Sequence, residues 1–308
     1  MTMRRGRLIS VFSMLALVGG CKLFTRPPPE HPRLWLAGDV HLGSGGAERL
    51  RPVTSKLHGQ GIVNLEGPVG DATASSEKRL VNGHQACAAL FDAGVRVAQV
   101  VNNHALDLGD AGIVQTAAEL AAAGVLRASS EAPVVLDAGA LSFDVESFDL
   151  THGVPADLVV QLRRARGPRP LIVTFHVTAE PLLLPTPELE AATEAALDAG
   201  AVVVAAQGTH ALAPVKWRGQ ALVAYGLGNV VFDCACTDEE DALALELKFS
   251  PDGGLEDAWV VPLRAGLKGE PAALSADAPL LFQLLENLGS DRLERLGDRA
   301  RVARSISP

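Results

Sequence analysis

The sequence predicts an α/β fold for most of the chain, and three observations support this prediction. Short apolar runs rich in β-branched residues, such as Val95–Val101, are typical of buried parallel strands. Segments with helical periodicity lie between such runs. Several runs end abruptly in His, Asp, Glu or Asn, at the strand ends where α/β sheets place their ligands. With 308 residues and 48% hydrophobic content, the chain can bury the core of one large domain.

Strands and helices alternate in the first half of the chain. The first strand is predicted over Arg33–Ala37, and the second begins at Gly61 and ends before Gly67-Pro68, which stops regular structure. A helix near 85–92 leads to the strand at 95–101. Asp110 is predicted to be the N-cap of a helix over about 111–123. The apolar face of that helix comprises Ile113, Val114, Ala117, Leu120 and Ala121.

A second sheet is predicted from three short segments with partly alternating apolar residues, at 125–128, 133–136 and 141–148. The sequence Pro-Asp-Gly-Gly at 251–254 is a strong hairpin signal. The other predicted elements are strands at 170–176, 201–206 and 222–232, a helix at about 187–199, hairpin strands at 243–249 and 258–263, and a terminal amphipathic helix from about residue 279.

The N-terminus has the features of a processing signal. Three arginines precede the apolar run Leu8–Val18, which is too short to cross a bilayer as a mature helix. The next residues, Val-Gly-Gly-Cys, resemble a bacterial lipobox, so we predict a lipoprotein signal peptide over 1–21 and a lipid on Cys21. The alternative is an ordinary secretory signal that contains a cysteine. Residues 22–32, with three consecutive prolines, are predicted to be an extended tether, and 33–308 the folded domain.

Composition argues against one class of function and leaves the cysteine pairing open. A net charge of −9 and an aromatic content of 4% are unlike those of a nucleic-acid binder. In an oxidising compartment, Cys87, Cys234 and Cys236 are available for one disulfide, which would leave one thiol free. A bridge from Cys87 to one of the other two is one option. The Cys-Ala-Cys segment has too few neighbouring ligands to predict a metal site.

Polar residues that follow two of the predicted strands are candidates for a functional site. Asn103, His104 and Asp107 follow the strand at 95–101. An amide oxygen is a hard metal ligand, and an imidazole can bind metal or transfer a proton, with a carboxylate fixing its tautomer. Asp39 and His41 follow the first strand and, one residue apart, can reach one cation. The simpler alternative is that these groups cap backbone atoms in turns.

Three further strands have similar polar ends. Glu66 lies two residues after Asn64 and could bridge two cations; the alternative is an edge residue that faces water. His176 ends the strand at 170–176, with Glu180 four residues later, and His210 follows the strand at 201–206. A single histidine usually has a structural role, but this repetition at several strand ends predicts one shared site.

Taken in order, these motifs resemble the CapA family of capsule-synthesis proteins, which is associated with poly-γ-glutamate. The most specific segments are Asn-Asn-His-x-x-Asp-x-Gly at 102–109 and Tyr-x-Leu-Gly-Asn at 225–229, and the resemblance covers 33–232. It implies a fold related to the calcineurin-like metallophosphoesterases, a four-layer α/β/β/α sandwich of two mixed sheets. It also implies a place in the cell envelope, next to the capsule polymer and the proteins that synthesise it.

The resemblance further implies a site for one or two divalent cations, with Mn, Zn and Fe as candidate metals. His104 would be the proton donor or oxyanion stabiliser, oriented by Asp107 or Glu180. Two cations in such a site can activate a bridging water for hydrolysis. The implied ligands are Asp39, His41 and His210 for the first cation, Asn103 and His176 for the second, and Glu66 between them.

Two departures from the family pattern leave the number of cations open. His41 stands where the family commonly has no ligand, whereas Gly208 replaces the first histidine of the family's His-Pro-His motif. The pocket could therefore bind two cations, one or none.

Two main hypotheses follow for function. The chain is either an envelope-anchored, metal-dependent hydrolase of a phosphoester or γ-glutamyl amide, or a lipoprotein that binds an anionic capsule polymer without catalysis. A purely structural lipoprotein is the third interpretation. The expected partners are the membrane, through Cys21, and the capsule machinery, with no nucleic acid.

Overall fold

The computed structural model describes residues 31–71, 79–177 and 183–304. The predicted signal peptide with Cys21, the tether up to residue 30, and Glu180 lie outside the described residues. Within the described ranges, no helix is both long enough and apolar enough to span a bilayer.

The described residues form seventeen strands and six α-helices. The strands are β1 (Arg33–His41), β2 (Gln60–Leu65), β3 (Val95–Gln99), β4 (Leu126–Ala128), β5 (Val134–Ala138), β6 (Leu141–Asp149), β7 (Leu171–His176), β8 (Ala201–Gln207), β9 (Val215–Arg218), β10 (Ala221–Ala224), β11 (Asn229–Phe232), β12 (Asp241–Phe249), β13 (Leu255–Arg264), β14 (Gly266–Leu267), β15 (Ala273–Leu274), β16 (Leu293–Leu296) and β17 (Arg299–Val302). The helices are α1 (Arg51–Thr54), α2 (Ala86–Asp92), α3 (Gly109–Ala123), α4 (Leu158–Ala165), α5 (Pro187–Asp198) and α6 (Ala278–Asn287).

Two mixed sheets form the centre of the fold. The larger sheet has the order β16-β17-β13-β12-β1-β2-β3-β4, with β11 paired in parallel to the carboxyl end of β1. The smaller sheet has the order β5-β6-β7-β8-β10-β9, in which the strands from β6 to β10 are parallel and the edge strands are antiparallel. The prediction of two mixed sheets in an α/β fold is confirmed.

Alternating side chains on the strands create three apolar layers. Leu36 and Ile62 from the larger sheet pack with Val145 and Ile172 from the smaller sheet in the central layer. The outer face of the larger sheet packs on α2 and α3, and that of the smaller sheet packs on α4 and α5. The four-layer sandwich therefore follows from two sheets that each bury both faces.

The predicted strand at 222–232 is two strands in different sheets. β10 belongs to the smaller sheet and β11 to the larger one, and residues 225–228 cross between them. Gly228 makes this possible, because its φ of +68° is a conformation that favours glycine. Gly38 is needed as well, since a Cβ there would lie 1.9 Å from the Gly228 carbonyl oxygen.

Two other predicted elements differ from the structure. The segment at 125–128 was expected in the second sheet, but β4 pairs with β3 in the larger sheet. The terminal helix ends at Asn287, and the chain then forms the hairpin of β16 and β17, which joins the larger sheet through β13. Leu293 and Val302 in this hairpin contribute to the central apolar layer, which explains the pairing.

Helix α3 packs through a face other than the predicted one. It begins at Gly109, so Asp110 lies in its first turn and is not the N-cap. The buried residues are Gly112, Thr116 and Leu120, whereas Val114 is 69% exposed. The reason is the turn after β2, where the Val69 backbone N–H donates to Thr116 Oγ1 at 2.8 Å. A small and polar face accommodates this turn better than a wholly apolar one.

Candidate metal centre

Side chains from three strand ends meet in a buried cluster between the two sheets. Asp39 lies near the end of β1, Glu66 directly after β2, and His210 three residues after β8. One ligand atom from each of these residues lies within 4.8 Å of the other two. Among the described residues, this is the one group of acidic, His or Cys side chains with the spacing of a metal site.

Asp39 is fully buried and its carboxylate is anchored from both sheets. Asn64 Nδ2 donates to its Oδ1 at 2.8 Å. The Gly208 backbone N–H donates to both carboxylate oxygens, at 2.9 and 3.0 Å. The bond to Gly208 joins the larger sheet to the smaller one, so the position of Asp39 depends on the packing of the two sheets.

Asn64 lies at the centre of the cluster. In addition to Asp39, its Nδ2 atom lies 3.3 Å from Glu66 Oε2 and 3.4 Å from His176 Nδ1. Asn102 Nδ2 donates to Asn64 Oδ1 at 3.1 Å, which fixes the orientation of the Asn64 amide. The Asn64 amide nitrogen carries two hydrogens, so it cannot donate to all three of these acceptors at once.

Burial disfavours the ionised forms of both carboxyl groups. It raises the pKa of Asp39, and it raises the pKa of Glu66 well above the usual value, with the negative charge of Asp39 adding to the effect. Two buried carboxyl groups next to an imidazole form a set of oxygen and nitrogen donors that suits a divalent cation such as Zn²⁺ or Mn²⁺. The residues present therefore fit one such cation.

His210 has an unusual backbone conformation at the edge of the cluster. Its φ of +52° is uncommon for a residue with a side chain, and such outliers are often found at functional sites. Its Nδ1 lies 2.8 Å from Asn229 Oδ1 and 3.5 Å from Asp39 Oδ2, and its ring contacts Phe232 edge-on. The imidazole is thus directed at the carboxylates by two neighbours from β11.

His176 and Asn103 lie next to the cluster, on the side of Asn64. His176 Nε2 and Asn103 Oδ1 are 2.9 Å apart. Two adjacent ligands of one octahedral cation with bonds of about 2.1 Å have a separation of about 3 Å, so the pair could also bind a cation. Burial lowers the pKa of His176 to about 3, which keeps the imidazole neutral and able to act as a ligand.

Gly208 lies against the ring of His176. A Cβ on Gly208 would lie 2.3 Å from His176 Cε1, and the φ of Gly208 is +79°. A histidine cannot occupy this position without moving His176. The space beside the Gly208 backbone is therefore filled by the His176 ring.

His104 and Asp107 form a pair beside the cluster, in the segment after β3. His104 Nδ1 lies 2.7 Å from Asp107 Oδ2, and this carboxylate also accepts a hydrogen bond from the Leu80 backbone N–H at 2.6 Å. Both side chains are largely buried but reach solvent. With Nδ1 donating to Asp107, Nε2 is available for proton transfer.

His41 is placed apart from the three-residue cluster. Its Nδ1 lies 3.3 Å from the Glu66 carbonyl oxygen and its ring packs on Phe232. Burial lowers its pKa to about 4. The predicted sharing of one cation by Asp39, His41 and His210 stays a prediction, as do the roles of the remaining site residues.

Comparison with known proteins identifies the family. Residues 33–133 and 128–234 match the family model described as "Bacterial capsule synthesis protein PGA_cap". The chain belongs to this family. A relative, the capsule biosynthesis protein CapA of Bacillus anthracis, is 27% identical over 203 residues, which cover 57% of this chain and 49% of the relative. The chain thus spans about half the length of that capsule protein.

Solved structures similar to this member of the PGA_cap family have low sequence identity to it. A hypothetical protein from Thermus thermophilus superimposes with a TM-score of 0.50 at 17% identity, covering 75% of this chain and 97% of that protein. A 5'-nucleotidase precursor from the same organism gives a TM-score of 0.45 at 14% identity, covering 79% and 54%. The first likeness supports the fold alone.

Several asparagines of the centre were not assigned by sequence reasoning. Asn64 was noted only as a neighbour of Glu66, and Asn229 only as part of the PGA_cap family's Tyr-x-Leu-Gly-Asn segment. Asn82 gave no signal, yet its side chain accepts from Leu42 N–H and donates to the Glu66 carbonyl oxygen, at 2.8 Å each. Amides at strand ends are common in turns, so their role becomes visible only when their partners are known.

The cysteine pairing left open by the sequence is resolved among the described residues. Cys234 and Cys236 form a disulfide directly after β11, and Cys87 in α2 is a buried free thiol. The disulfide follows Phe232, whose ring contacts His41 and His210. It therefore lies next to the segment that bounds the candidate metal centre on one side.

Proposed function

We propose that this protein is an envelope-anchored hydrolase of capsule metabolism that uses one divalent cation bound by Asp39, Glu66 and His210. The observation that carries the proposal is the convergence of these three side chains within 4.8 Å, with two buried carboxyl groups of raised pKa. Buried carboxylates are stable when a cation compensates their charge. The likeness to capsule biosynthesis protein CapA supports a role in capsule metabolism. The bond cleaved would be a phosphoester or a γ-glutamyl amide.

The chain's own residues supply the acid–base chemistry. A bound divalent cation would acidify a water molecule and polarise the oxygen of the scissile group. His104, oriented by Asp107, would donate a proton from Nε2 to the leaving group. Asn64 and the Gly208 backbone N–H fix Asp39 from two directions, which keeps one ligand in place before the substrate arrives.

One experiment tests this proposal. The purified protein is analysed for bound metal and assayed with a generic phosphodiester and with poly-γ-glutamate in the presence of Mn²⁺ or Zn²⁺. We expect about one cation per chain, and turnover that falls roughly 10²- to 10⁴-fold in His104→Ala with the metal content unchanged. A protein that binds metal but has no turnover on either substrate class would contradict the hydrolase proposal.

A second candidate function is supported by the position of Asn64. Its amide nitrogen donates into the space between Asp39, Glu66 and His176, where its N–H groups already face these acceptors. On this alternative the centre is a structural network, and the protein binds the capsule polymer without catalysis. A metal-free and inert protein that is retained on a column of immobilised poly-γ-glutamate would support the alternative.

The envelope anchor is a separate part of the proposal. Lipid attached to Cys21 would hold the domain at the membrane through the proline-rich tether. In the native host, Cys21→Ala should move the protein from the membrane fraction to the soluble fraction. Cys87→Ala is the matched control, because Cys87 is buried in α2 and its loss should leave the distribution unchanged.

A further inference from the structure

A second polar cavity lies on the outer face of the smaller sheet, the face opposite to His176. It has a volume of about 590 Å³ and lies between β6, helix α4 and the segment that precedes β5. Its lining includes Glu146 on β6, Asp157 and Gln161 at the start of α4, and Glu131. None of these residues belongs to the metal centre.

Two buried oxygen atoms in this cavity have no hydrogen-bond partner among the described residues. They are Glu146 Oε2 and Gln161 Oε1. Glu146 is 2% exposed, so solvent compensates its carboxylate only weakly. Gln161 Nε2 donates to Asp157 Oδ2 at 2.6 Å. This hydrogen bond fixes the orientation of the amide and leaves its oxygen without a hydrogen-bond partner among the described residues. Both atoms are acceptors, and buried acceptors without donors are costly.

No basic residue of the described ranges forms an ion pair with Glu146, although Arg164 lines the same cavity. Arg169 Nε donates to Asp144, the neighbouring acidic residue on the same face of β6, at 2.8 Å. Arg127 pairs with Glu131. Burial, with the charge of Asp144 adding to it, raises the pKa of Glu146 to about 7. The carboxylate therefore lacks a positive partner on the protein side.

We propose that this cavity binds the primary ammonium group of a small organic cation, with Glu146 Oε2 and Gln161 Oε1 as its acceptors. A primary ammonium group carries three N–H donors and one positive charge, which matches a carboxylate and an amide oxygen. A bare divalent cation fits less well, because no three carboxylate or imidazole ligand atoms of the described residues come within 4.8 Å of one another here. Arg164, which also lines the cavity, suits a ligand that carries an anionic group as well.

The test is a nuclear magnetic resonance titration of the isotope-labelled protein with methylammonium chloride. The side-chain amide signals of Gln161 report binding locally. We expect saturable shifts with methylammonium and none with tetramethylammonium, which has the charge but no N–H donor. Glu146→Gln removes the charged acceptor at almost constant size and should weaken binding roughly 10- to 100-fold.

Glu131→Gln is the matched control, because it removes one carboxylate that lines the same cavity but is already paired. It should change the affinity less than about threefold, as exposed ion pairs contribute little. Equal weakening in both variants, equal binding of tetramethylammonium, or preferential binding of Mg²⁺ would overturn the proposal. If Glu146→Gln does not fold, the comparison of the two ammonium ions on the unchanged protein still decides the question.

Discussion

Two buried glutamates, Glu246 and Glu66, lie at opposite ends of the larger sheet and differ in their partners. At the amino end of β1, Glu246 on β12 accepts from the His58 backbone N–H and lies 2.7 Å from His58 Nδ1, and Arg299 pairs with its other oxygen. At the carboxyl end, the Glu66 carboxylate accepts one hydrogen bond from the described residues, from Asn64 at 3.3 Å. Glu246 is compensated by basic side chains, and Glu66 is not.

The comparison separates a structural carboxylate from a candidate functional one. Both Glu246 and Glu66 are almost completely buried, so burial alone does not distinguish them. A buried ion pair is complete in itself, whereas a buried acidic residue next to a second one requires a proton or an external cation.

The largest expected effect is on metal content. Glu66→Gln should reduce bound Zn²⁺ or Mn²⁺ from about one per chain to below about 0.1, because a neutral amide replaces a charged ligand. Glu246→Gln should leave the metal content unchanged. Elemental analysis after gel filtration measures both. Equal metal content in Glu66→Gln and the unchanged protein would remove Glu66 from the site.

The second prediction concerns the stability of the metal-free protein at alkaline pH, and the two variants should change in opposite directions. Glu246→Gln leaves Arg299 without its buried partner and should lower the free energy of unfolding by about 3 kcal/mol.

Glu66→Gln should raise that free energy of unfolding. A carboxyl group whose pKa is raised on folding stabilises the protein at low pH, and this contribution is lost as the pH rises through the pKa of the folded state. Urea unfolding at pH 8.5 measures both changes. A loss of stability in Glu66→Gln would mean that Glu66 is compensated after all.

The third prediction concerns the close packing at the carboxyl end. Gly208→Ala should lower the free energy of unfolding by about 3 kcal/mol, from the positive φ and from contact with the His176 ring. Gly219→Ala is the control, because Gly219 has a φ of +64° with nothing near its Cβ position, so it should cost only about 1 kcal/mol. Similar losses in both variants would show that His176 moves freely.

The fourth prediction concerns the pH dependence of stability. The pKa of His41 is about 4 in the folded protein, below the ordinary value of 6.5. Between pH 4 and pH 6.5, the His41 imidazole is therefore protonated mainly in the unfolded chain. Stability is therefore complete above pH 6.5 and falls as the pH decreases towards 4. In His41→Gln this loss should be smaller by at most about 1.4 kcal/mol per pH unit. Unfolding of the metal-free protein at several pH values measures the slope, and an unchanged slope in His41→Gln would contradict the prediction.

Much of the fold could be predicted from the sequence because strands β1, β2, β3, β7 and β8 are apolar runs with polar ends. The pattern that indicates a buried strand also marks where it ends. The pattern does not identify the sheet to which a strand belongs, so the continuous apolar segment at 222–232 was predicted as one strand. Its division between β10 and β11 depends on Gly228 and Gly38, whose close approach is a tertiary contact.

The centre was predictable to a similar degree. The convergence of Asp39, Glu66 and His210 was expected, because charged or imidazole groups at parallel strand ends are informative. The role of Asn64 was missed, since an amide in a turn has many structural uses. The sequence also could not show that Gly208 packs on His176. The two residues are 32 positions apart in the chain, and this separation does not indicate how close they lie in the folded protein.

The origin of the candidate metal ligands in both sheets has a consequence for folding. Asp39 and Glu66 come from one sheet and His210 from the other, and the crossover at 225–228 is a covalent link between the two near the same edge. Neither half offers the complete set of ligands before the sheets dock. A cation would therefore bind only after the two sheets have docked. During unfolding, its release would precede or accompany the separation of the two sheets.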